Sequence, residues 1–76
     1  MKYKREQVTW LDNCSTDQWT DLRDIVHKLS VIDSVGFVVH ENDELLVLAG
    51  HVSDEGLATG LMTIAKKMIT ERGVLE

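Results

Sequence analysis

The stretch "SVGFVVHENDELLVLAG" runs from Ser34 to Gly50. Two apolar runs flank four polar residues, Glu41-Asn42-Asp43-Glu44. Val, Phe and Leu at this density predict a β-hairpin. A two-residue Asn42-Asp43 turn sets Glu41 against Glu44, and like charges directly opposite are unfavourable. A four-residue loop, Glu41 to Glu44, keeps the register and relieves the clash. Val39 then pairs with Leu46, Val38 with Val47 and Phe37 with Leu48. One face carries Val35, Phe37, Val39, Leu46 and Leu48. The other carries Gly36, Val38, His40, Leu45, Val47 and Ala49. Both faces are apolar, and burying a large apolar side chain contributes about 1.5–3 kcal/mol. The heavier face is expected to point into the core. The lighter one needs an amphipathic helix or a second subunit over it.

Outward from the hairpin, "QVTWLD" (Gln7–Asp12) reads as a short strand with Val8 and Trp10 on one face. "STDQWTDLRDIVHKLS" (Ser15–Ser30) reads as a helix. Ser15 and Gln18 fit a capping box, and Trp19, Leu22, Val26 and Leu29 form one apolar stripe. Asp17, Asp21 and Asp24 lie off that stripe. The tail is ambiguous. As a helix over 54–72 it places Leu57, Leu61, Ile64, Ala65 and Met68 on one side, but Gly56 and Gly60 each cost about 1 kcal/mol in a helix interior. As a sheet it gives a loop at Gly56–Gly60, a strand at Leu61–Ile64 and a last strand from Met68 onward.

A chain of 76 residues holds one small domain, 1–76, with a small core. The formal net charge of −5 disfavours general nucleic-acid binding, because phosphate backbones are repelled. The single cysteine, Cys14, has no internal disulfide partner, which points to a reduced, cytoplasmic setting. The start "MKYKREQV" has no signal-peptide core, and no segment nears the roughly 20 apolar residues of a membrane span.

Constellations for chemistry are sparse. The glycines at 36, 50, 56, 60 and 73 never cluster into a phosphate loop. His27, His40 and His51 with one cysteine give no zinc spacing. In the expected register His51 faces Ser34, several pairs away from His40. Cys14 with His27 as base lacks a third group to orient the imidazole. No metal, cofactor or catalytic residue is expected, and the chain reads as a non-enzyme. Trp10 and Trp19 are expected in the core.

Four pieces together resemble a loosely defined family of small tailed-phage proteins. They are "VTWLD" (Val8–Asp12), "WTDL" (Trp19–Leu22), "VGFVVHENDELLVLA" (Val35–Ala49) and "GLMTIAKKMI" (Gly60–Ile69). The resemblance implies a small SH3-like β-barrel, with an Ile-Pro-Lys step before a final short strand. Here Ile64-Ala65-Lys66 stands at that step, and alanine no longer excludes a continuous helix. The expected fold is therefore α+β: a small SH3-like barrel or sheet with one N-terminal amphipathic helix. A β-hairpin packed between two helices, the second at about 54–72, is the alternative.

The resemblance also implies phage origin and action in the cytoplasm of an infected bacterium. Two function classes follow. The first is a non-enzymatic counter-defence or host-takeover protein that binds a host protein. Its contact candidates are Asp17, Asp21, Asp24 and Trp19. The second is a homo-oligomeric sequestering protein that holds a small anionic, nucleotide-type immune signal between subunits through Lys66, Lys67 or Arg72.

Overall fold

The computed structural model describes residues 3–12, 19, 21–24 and 29–76. They form β1 (Arg5–Asp12), β2 (Ser30–Glu41), β3 (Leu45–Val52), β4 (Ala58–Ala65) and β5 (Ile69–Leu75), with 3-10 turns at Leu22–Asp24 and Lys66–Met68. All five strands belong to one antiparallel sheet in the order β4-β3-β2-β1-β5. β1 therefore lies between β2 and the last strand of the chain.

This all-β sheet overturns the α+β expectation, since no α-helix occurs among the described residues. The stretch read as the N-terminal helix lies largely outside those residues. Of its described part, Leu22–Asp24 is a single 3-10 turn, and Ser30 already opens β2. The physical reason lies in the stripe itself. Trp19, Leu22 and Leu29 are all exposed, and a short amphipathic helix persists only when its stripe is docked. The alternative second helix over 54–72 also fails. Ser53 to Leu57 is a tight turn instead: the Ser53 amide donates to the Leu57 carbonyl at 2.7 Å, and Gly56 takes φ +83°. That left-handed value suits glycine and breaks a helix. The residues beyond it pair as β4 with β3 and as β5 with β1.

The hairpin register also differs from expectation. Val38 pairs with Leu48 and Glu41 with Leu46, with a bulge between Val38 and His40. The loop shortens to Asn42–Glu44. The Asn42 side-chain oxygen accepts from the amides of Glu44 and Leu45, each at 2.8 Å, and so closes the turn. A bulge carries one extra residue and re-aims the side chains beyond it. It turns Val38 inward with Leu46 and Leu48, and leaves Phe37 outward beside Ala49. The expected heavy and light faces are thus exchanged along β2 as far as Val38, but not beyond the bulge or along β3.

The core consists of Val8 and Trp10 from β1, Leu46 and Leu48 from β3 and Ile64 from β4, with Ile32, Val38 and Ile69 packed against them. β1 and β4 are separated by two strands in the sheet, so a shared cluster requires the sheet to curl around it. Leu46, Ile64 and Val8 are fully buried, each contributing about 1.5–3 kcal/mol. Trp10 donates its indole N–H to the Ser34 hydroxyl at 3.0 Å, which satisfies the one polar atom that its burial would strand. At Gly36 a Cβ would sit 2.8 Å from the Ala49 carbonyl oxygen. Only glycine admits so close a backbone.

Candidate functional site

Period-two alternation in β1 puts Glu6 on the same side as Val8 and Trp10. Glu6 is 5% exposed, the one buried charged residue among the described residues. Its counter-ion comes from β5. Arg72 pairs with Val8 in the ladder and donates to Glu6 at 2.8 and 3.0 Å. The same guanidinium donates to Glu41, at the end of β2, at 3.0 and 3.1 Å. Lys66, in the second 3-10 turn, is ion-paired with Glu41 as well.

The electrostatics follow from these contacts. Hydrogen bonds from Arg72, then from Lys66, hold the Glu41 carboxyl down at about 2. Glu6 first, and then Glu41, hold the Arg72 guanidinium further above its already high range. A carboxylate with so little proton affinity is a poor general base. This cluster clamps β1, β2 and β5 together. It also absorbs Lys66 and Arg72, two of the three cations expected to meet an anionic ligand.

The other sequence candidates are dispersed. Asp17, Cys14 and His27 lie outside the described residues. Asp21 accepts from the Arg23 guanidinium at 2.7 and 3.1 Å, which lowers its pKa. Asp24 ends the 3-10 turn. Lys67 is exposed beside the β2–β3 loop and lines a shallow cleft with Asp43, Glu44, Leu45 and Ala65. His40 and His51 are exposed, opposite Val47 and Thr59 respectively. Among the described residues no three His, Cys, Asp or Glu side chains gather as metal ligands, and no helix is long and apolar enough to cross a membrane.

Trp19 departs furthest from its expected core position. It is fully exposed at 103%, and Leu22 is 82% exposed. Both lie in the connection from β1 to β2, next to the Asp21–Arg23 pair. Two further surfaces escaped sequence reading. The outer sheet face exposes Val31, Val35 and Leu61. A cleft of about 430 Å³ at the β1–β5 end is lined by Tyr3, Lys4, Arg5, Phe37, Val74 and Leu75. Lys4 and Arg5 carry no ion pair among the described residues. The legible signal for the clamp was Glu6 two residues before Val8, in phase with the buried face. Beginning the strand at Gln7 hid it. Comparison of the chain with protein-family models, with curated proteins and with solved structures returns no match.

Proposed function

We propose that this chain is a non-enzymatic phage accessory protein that binds a host protein in the infected bacterium, with the β1–β2 connection as its contact segment. The supporting observation is the full exposure of Trp19 together with Leu22 beside an acidic residue. An exposed tryptophan offers a large rigid anchor, and tryptophan is enriched among residues that dominate binding energy. Asp21 beside it favours a partner with an apolar pocket and a basic rim. The test is affinity capture by a tagged copy in infected cells, repeated with Trp19→Ala, followed by titration of the captured protein. The expected result is a weakening of about 2 kcal/mol or more, roughly 30-fold in Kd, with the Tm unchanged. Equal binding by the variant overturns the reading.

A second reading rests on the cleft at the β1–β5 end. Its Lys4 and Arg5, which have no ion pair among the described residues, lie beside Tyr3 and Phe37 and offer charge and stacking to a small planar anion such as a nucleotide. A rise in Tm with added nucleotide, weakened by salt, favours this reading; no shift at millimolar nucleotide removes it.

A further inference from the structure

Ladder partners project to the same side of a sheet, so the register defines the outer face. Opposite the core lie Arg5, Gln7 and Thr9 of β1, paired with Phe37, Val35 and Asp33 of β2. Val31 extends the face at one end, and the row Phe37–Ala49–Leu61 crosses β3 and β4, with Phe37 half-buried, Ala49 fully buried and Leu61 exposed. Val31 is 67% exposed, Val35 64% and Leu61 60%. Three large apolar side chains therefore stand in water on one side of a small domain.

The charges on this face have a pattern. Arg5 stands toward one end, and Asp33, with Glu71 of β5 across Thr9 from it, toward the other, with the Val35–Gln7 pair midway between them. Four ladder positions separate the two, about 13 Å at 3.3 Å per residue. Arg5 has no ion pair among the described residues, and Asp33 receives one hydrogen bond from the neutral Thr9 hydroxyl. Opposite charges placed to either side of the Val35–Gln7 centre are self-complementary under a twofold rotation. A different partner protein would have no need of that symmetry.

We propose that the outer face of β1 and β2 binds a second copy of this chain, face to face with strands reversed, so that each Arg5 meets the partner's Asp33 and the two Val35 side chains meet at the centre. Stacked sheets lie about 10 Å apart, which brings the long Arg5 side chain within reach of the opposite carboxylate. The inference is independent of Trp19 and the β1–β2 connection, and goes beyond host-protein binding.

The test is sedimentation equilibrium of the full chain, the charge-reversed variants Arg5→Glu and Asp33→Lys, and the double variant. The parent is expected to dimerise. Each single reversal places like charges in two equivalent contacts and raises the dimer Kd about tenfold or more, while the double variant returns to within about threefold of the parent. Circular dichroism checks that each variant is folded. If a reversal unfolds the chain, Arg5→Gln and Asp33→Asn replace it, with weakening expected from each. As an independent readout, Val35→Cys in a Cys14→Ser background is expected to be captured as a covalent dimer by a short bis-maleimide crosslinker, which spans the roughly 10 Å between stacked sheets. A parent that stays monomeric up to high micromolar concentration overturns the proposal. So do single variants that dimerise like the parent, or a folded double variant that stays as weak as the singles.

Discussion

Replacing Arg72 by leucine removes the guanidinium that Glu6 and Glu41 share and leaves the two carboxylates in unequal positions. Glu41 keeps Lys66. Glu6, at 5% exposure, keeps no cation among the described residues. Breaking a buried ion pair by removing one partner costs about 3–5 kcal/mol, because a charge remains without compensation. The Arg72 side chain is 31% exposed, so solvent screening brings the figure down to about 2–3 kcal/mol. A domain of 76 residues has roughly 4–11 kcal/mol in total. The Tm is then expected to fall by about 10–20 °C. Glu6→Leu alone should cost less, since Arg72 retains Glu41 and contact with water. The double variant Glu6→Leu/Arg72→Leu buries no lone charge and is expected within about 1 kcal/mol of the parent. Urea denaturation of all four proteins, followed by the fluorescence of buried Trp10, measures the cycle. An Arg72→Leu loss below about 1 kcal/mol, or a double variant weaker than Arg72→Leu, rules out the clamp as described.

Two further outcomes follow from the same geometry. The Glu41 carboxyl stays ionised in the folded chain down to about 2, against an ordinary 4.5. The unfolded chain takes up that proton first, so the contribution of Glu41 is complete above pH 4.5 and is lost as pH falls toward 2. Glu41→Gln should flatten urea midpoints across that interval, and an unchanged slope counts against the assignment. Gly36→Ala drives a methyl group against the Ala49 carbonyl oxygen at 2.8 Å and should cost about 1–3 kcal/mol. Gly73→Ala meets open space and should stay within about 0.5 kcal/mol. Equal losses at the two glycines in urea melts contradict the close approach.

The sheet was legible where chemistry is local. Val8 and Trp10 alternate with polar residues, and the β1 strand follows from them. The density of Val, Phe and Leu around Asn42–Glu44 marks a hairpin, and the structure has one. The strand reading of the tail rested on family resemblance and on the cost of Gly56 and Gly60 in a helix. The described residues of Ser15–Ser30 hold no α-helix: a 3.6-residue stripe shows only what a helix would bury. Whether any surface is there to receive Trp19 and Leu22 is a tertiary matter. The bulge near Val39 has no glycine or proline to announce it, so the split of faces along β2 was invisible. The clamp joins Glu6 to Arg72 across 66 positions, a separation that no window of local pattern spans. The symmetric placement of Arg5 and Asp33 likewise appears only once β1 and β2 are set in register.

The return of β5 to the side of β1 constrains the order in which the chain can assemble during synthesis. The meander β2-β3-β4 joins neighbours in sequence and can zip as it emerges from the ribosome. Arg5 pairs with Leu75, so the second flank of β1 exists only after β5 has been made. Until then Glu6 has no Arg72, and the nascent sheet carries a carboxylate that has every reason to stay wet. Addition of β5 and neutralisation of that charge are one event, and a chain truncated before Arg72 lacks the piece that locks its first strand in place.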